Sequence, residues 1–172
     1  MITQIKFLLV KVILMYYNID ICGRGYYMFT EGLTKEEKKA YEIAKKAHKG
    51  QVDKAGVDYI NHPLTVASKC QSEDERIVAL LHDVVEDTDV TLEDLSKVFD
   101  KHIIDAIDAI THREGVSYED YLLNLKKNEL ALHVKFKDIE NNMDLSRIKN
   151  PTQKDYDRLE KYRFALNVLN SK

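Results

Sequence analysis

The chain has 172 residues, 44% hydrophobic and 32% charged, with six Gly, two Pro and a formal net charge of −3. That is enough for one domain with its own core. The scarcity of helix breakers argues against many short strands, and the charge balance excludes a broad basic surface for nucleic acid.

Residues 1–28 differ in composition from the rest. Residues 5–17 (IKFLLVKVILMYY) are strongly apolar, but spanning a bilayer takes roughly 20 such residues, and no small-residue cleavage site follows. Neither a membrane span nor a signal peptide is expected. The segment reads as an N-terminal extension, with Met28 the expected native start and residues 29–172 the domain. Cys22 and Cys70 match neither a CxxC pair nor a disulfide scaffold, which suits a reducing cytoplasm.

Thr34 and Glu37 form a capping-box pattern that opens a helix. It runs to about residue 49, with Ala40, Ile43, Ala44 and Ala47 on one face, and Gly50 ends it. A loop, QVDKAGVDYIN, leads to His62-Pro63, where Pro suits the first turn of a helix reaching residue 70. Further helices are expected over residues 73–86, 92–99 (capped by Thr91), 103–111, 118–126, 128–139 and 153–169. No period-two strand pattern occurs. The expected fold is all-α, a compact domain of seven or eight helices.

The chemistry concentrates in residues 76–88, RIVALLHDVVEDT. On a helical wheel Ile77, Val78, Leu80, Leu81, Val84 and Val85 fill one arc, and His82, Asp83, Glu86 and Asp87 share the opposite one. Three carboxylates this close repel each other, and a bound cation would turn repulsion into coordination. On this helix alone a solvated acidic face is the simpler reading. Two other segments alter the balance. His62 opens a helix after an aromatic-apolar pair, and Asp138 extends the apolar stripe of Ala131 and Val134, where an acid is costly unless paired or metal-bound. His62, His82, Asp83 and Asp138 would make a mixed imidazole and carboxylate set, suited to a first-row divalent ion such as Mn, Fe or Zn.

The ordered pattern HKGQ, DKAGxDYIxHPLxVA, ALLHDVVEDT, TxEDL and VKFKDxxNNM resembles the hydrolase domain of RelA/SpoT-type alarmone enzymes, within the HD-domain superfamily, over about residues 41–147. It is most similar to the small stand-alone hydrolases. The resemblance implies a helical HD fold with one Mn²⁺ on His62, His82, Asp83 and Asp138, and water-activating roles for Glu86 and Asp87. It implies removal of pyrophosphate from the 3′ position of guanosine tetra- or pentaphosphate, with Lys54 facing the phosphates and Asn142 the nucleotide. Arg147, Lys135 and Lys137 are further candidates to offset substrate charge. The expected protein is cytoplasmic and degrades the alarmone without making it. The family's usual Arg before Lys54 is here Asp53, which would repel a bis-diphosphate. Two alternatives therefore stay open: a phosphatase acting on another nucleotide such as NADPH, and a nucleotide sensor without catalysis. His48 is expected to cap the first helix or line the pocket. His102, His112 and His133 are expected to be structural or exposed, and Tyr118 and Tyr121 to pack in the core.

Overall fold

Short polar side chains set the helix starts. Thr34, Ser72 and Thr91 each accept from the backbone N–H three residues on, and an acid at that position answers the cap's own N–H; at Thr152 the N–H and the hydroxyl both donate to the Asp155 carboxylate. Such caps satisfy N–H groups that the helix leaves without partners. The computed structural model describes residues 32–54, 56–148 and 150–171, and of Arg147 the backbone alone. The expected N-terminal extension, residues 1–28, lies outside the described residues.

The helices are α1 (Lys35–Ala47), α2 (Asn61–Ser68), α3 (Glu73–Leu81), α4 (Val84–Asp87), α5 (Leu92–Ser96), α6 (Lys101–Ile110), α7 (Tyr118–Leu125), α8 (Glu129–Asn142) and α9 (Gln153–Asn170), with a 3₁₀ turn at Leu145–Arg147. Among the described residues no strand forms; Val52 and Asp58 make one isolated bridge. The all-α expectation holds, within one compact unit spanning Thr34–Lys172. No described helix is long and apolar enough to cross a membrane.

Helix α3 lies at the centre, packed by α1, α2, α6 and α8. Its residues Ile77, Val78, Ala79, Leu80 and Leu81 are all buried, as expected where the second half of the helix is apolar on every side. A half-buried ion pair, Arg76 with the buried Glu37, joins α3 to α1. Glu37 also serves the α1 capping box, so its charge is compensated from two sides.

One expected element is corrected. Residues 73–86 are not one helix: α3 stops at Leu81, His82 and Asp83 form a turn, and α4 restarts at Val84. Among the described residues this split divides one of the eight expected helices in two, and the compact all-α expectation stands. The physical reason lies in His82, whose Nδ1–H donates to the Ala79 carbonyl at 2.7 Å. The side chain takes the place of a backbone donor there, and the chain turns.

Candidate metal centre

His62 comes from the first turn of α2, His82 and Asp83 from the break between α3 and α4, and Asp138 from α8. Their donor atoms converge. His62 Nε2 lies 3.2 Å from His82 Nε2, 3.5 Å from Asp83 Oδ2 and 3.2 Å from Asp138 Oδ1. His82 Nε2 lies 3.0 Å from Asp83 Oδ2 and 3.7 Å from Asp138 Oδ1. An ion held at about 2.0–2.2 Å by each donor separates neighbouring donors by roughly 3.0–3.5 Å, so the two imidazoles and Asp83 fit a divalent metal, with Asp138 Oδ1 within 3.7 Å of both imidazoles. His62, His82 and Asp83 form a cluster able to hold one.

The electrostatics agree with that use. Burial opposes charge on Asp138, yet the Lys135 ammonium and both imidazoles hold its carboxyl well below the usual range. Burial likewise opposes charge on Asp83, and the His82 imidazole pulls its carboxyl down. A carboxylate kept charged in a buried place is a ready cation ligand.

A supporting shell orients the donors. The Ala79 carbonyl accepts from His82 Nδ1–H, so Nε2 is the ring nitrogen aimed at the centre. The Tyr59 hydroxyl donates to Asp83 Oδ2 at 2.6 Å, and burial together with Asp83 raises the phenol's pKa, so it remains a donor. Lys135 donates to Asp138 Oδ2 at 2.8 Å, and Asn142 donates to Asp138 Oδ1. Asn141 meets His62 Nδ1.

The cluster opens on a cleft of about 410 Å³. Glu86 and Asp87 stand on its wall, both exposed. The His112 backbone N–H donates to Glu86 Oε2 at 2.8 Å. Burial, Asp83 and Glu86 raise the pKa of Asp87. The Gln51 amide donates to the Asp87 carbonyl and also meets His48 Nδ1 at 2.8 Å.

Several sequence expectations find different places. His48 closes α1 through its backbone N–H, and its buried ring packs on Tyr59, not in the cleft. Lys54 lines the cleft but is paired with Asp155 at 2.8 Å. Lys135 serves Asp138 in the cleft, whereas Lys137 pairs with Glu140 away from it. The Arg147 side chain lies outside the described residues. His102 pairs with Asp74 and His133 with Glu75, both at the surface. His112 instead stacks on Tyr121 with centroids 4.7 Å apart and lines the cleft. Tyr121 is a core residue, its hydroxyl donating to Ile110 O, and also faces the cleft beside Tyr118.

Sequence reasoning missed the contribution of α9. Arg158, Lys161 and Tyr162 reach the cleft, with Lys161 Nζ 4.1 Å from the Tyr118 ring centroid. Burial and the nearby Lys135 lower the Lys161 pKa, a cost that a bound anion would relieve. The role of Asp53 was also hidden. Its Oδ1 accepts from Val57 N at 2.9 Å and its backbone N–H donates to Val57 O at 2.8 Å, closing the turn in which Gly56 holds φ +79°.

Comparison with known proteins gives a consistent picture. An HD-domain family model matches residues 40–135. The bifunctional (p)ppGpp synthase/hydrolase SpoT of Escherichia coli is 33% identical over 94 residues, covering 52% of this chain and 13% of the relative. A guanosine-3′,5′-bis(diphosphate) 3′-pyrophosphohydrolase of Borreliella burgdorferi is 44% identical over 77 residues, 42% of this chain and 12% of the relative. The chain thus spans about an eighth of the length of these relatives. A solved structure described as a metazoan ortholog of SpoT that hydrolyses ppGpp superposes with a TM-score of 0.66 at 22% identity, over 80% of this chain and 87% of the other.

Proposed function

The chain belongs to the HD-domain family, and from that membership and the site geometry we propose that it is a divalent-metal phosphohydrolase acting on guanosine 3′,5′-bis(diphosphate), giving GDP and pyrophosphate. The observation that carries this reading is the meeting of His62, His82 and Asp83, with Asp138 against both imidazoles, at a cleft that Glu86, Asp87 and several cations also line. The printed activities of its relatives support the substrate.

His62, His82, Asp83 and Asp138 would hold the ion, with Mn²⁺ proposed for this mixed nitrogen and oxygen set. Once bound, it supplies a Lewis acid for a phosphoryl oxygen and acidifies water. Glu86, anchored by the His112 N–H, accepts the proton of the attacking water. The water oxygen bonds to the phosphorus next to the 3′ oxygen, and the 3′ O–P bond breaks. Asp87, its pKa raised by burial and two neighbouring acids, is suited to deliver a proton to the departing 3′ oxygen. Such acid–base help is worth about 10²–10⁴ in rate. Arg158, Lys161 and Lys54 offset phosphate charge, Asn142 faces the nucleotide, and Arg147 is proposed as a further contact. The cytoplasm is the proposed compartment.

Asp53 on the cleft wall favours a second reading, a nucleotide carrying less charge, such as NADPH. Incubating the full chain and Mn²⁺ with ppGpp, pppGpp, NADPH and GTP decides between them. Pyrophosphate from ppGpp is expected. Turnover of NADPH alone would move the substrate and keep the hydrolase.

A further inference from the structure

On the reading that His62 is a metal ligand, its Nε2 must be bare and its hydrogen must sit on Nδ1. A hydrogen on a buried ring nitrogen needs an acceptor. The group opposite is the Asn141 carboxamide, whose Nδ2 is 2.8 Å from His62 Nδ1. His62 is 8% exposed and Asn141 4%, so water does not readily replace the contact.

A carboxamide presents either its NH₂ or its oxygen after a half-turn about its last bond. With the NH₂ facing His62, Nδ1 is the acceptor and the hydrogen lies on Nε2. That hydrogen then points into the space between His82 Nε2 and Asp138 Oδ1, each 3.2 Å away, and bars a cation. With the oxygen facing His62, Nδ1–H is held and Nε2 is free to ligate. His82 has no such choice, because its partner is a backbone carbonyl that only accepts.

We propose that Asn141 is a positioning residue for metal loading: its carboxamide oxygen accepts from His62 Nδ1–H in the loaded site, and its half-turn selects the ligating tautomer. The centre then has one ligand fixed by the backbone and one adjusted by a side chain.

The test is Mn²⁺ affinity by chelator competition for the full-length wild type, Asn141→Leu and Asn141→Asp, each checked for folding by circular dichroism. Leu matches Asn in size and offers no acceptor, so affinity should fall about 10- to 100-fold. Asp only accepts, so it should bind at least as tightly as wild type. Equal affinity for Leu and wild type, or an equal loss in Leu and Asp, overturns the proposal while leaving the metal site standing. A wild type that binds no Mn²⁺ overturns the metal reading itself. Should the Leu variant not fold, ring-nitrogen NMR of the Zn²⁺-loaded wild type decides. A solvent-protected hydrogen on His62 Nδ1 supports the proposal, and an Nδ1 without one contradicts it.

Discussion

His82 and Asp83 are adjacent in the chain, yet His82 Nε2 and Asp83 Oδ2 lie 3.0 Å apart. Neighbouring residues of an unbroken helix point about 100° apart and do not readily meet at one point. The break between α3 and α4 removes that divergence, and the Ala79 carbonyl that loses a regular partner holds the His82 ring in return. One local departure from helical geometry thus makes an HD pair into two donors facing a common centre.

Tyr59 is the hydroxyl support of Asp83. Tyr59→Phe keeps the ring that packs on His48 and His62 and removes the 2.6 Å donor. Mn²⁺ affinity measured by chelator competition should fall about tenfold or more. Stability of the metal-free protein should drop by about 1.5–3 kcal/mol, the range for a hydrogen bond to a charged group.

Gln51 ties the HKGQ segment to the cleft wall that carries Asp87, linking His48 Nδ1 to the Asp87 carbonyl. Gln51→Leu loosens the end of α4, so kcat should fall by up to about 10² with little change in KM, the signature of misplaced chemistry. Steady-state kinetics on the Mn²⁺-loaded enzyme separates the two parameters.

Asp155, on α9, holds the loop ahead of α2 through Lys54. The Lys54 ammonium, and then the Thr152 N–H and hydroxyl, hold its carboxyl below the usual range. A lowered folded-state pKa stabilises at pH above the unfolded value of about 3.9 and loses that effect as pH falls through the folded value. Asp155→Asn should therefore melt below wild type at neutral pH, and the gap should close in acid below about pH 4. Thermal melts across pH check the sign.

Arg158 and Lys161 sit on the cleft wall. Arg158→Ala and Lys161→Ala should each raise KM for ppGpp by about 10- to 100-fold, the loss of one or two charge-assisted contacts. The effect should shrink as salt screens the phosphates. An unchanged KM in both would remove α9 from substrate binding.

Much of the architecture was legible because caps and apolar stripes are local signals. Thr34 with Glu37, Thr91, and the absence of alternating strands led to the right helices. The break at His82–Asp83 was not legible, because VALLHDVVED contains no Gly or Pro and reads as continuous helix. The α9 cations were hidden for another reason: Arg158 and Lys161 lie in a strongly charged helix, where a solvated face looks the same as a cleft-lining one. The motifs brought His62, His82, Asp83 and Asp138 together as candidates, and the tertiary fold supplies their 3.0–3.7 Å geometry. Asp53 carries no local sign that it closes a turn with Val57.

The most direct test of the metal hydrolase reading measures Mn²⁺ binding and pyrophosphate release from ppGpp in the same samples of wild type and Asp83→Ala. One ion bound per chain with release in the wild type, and both lost in Asp83→Ala, is the expected result. Release that persists in Asp83→Ala, or in wild type stripped of divalent ions, would contradict it.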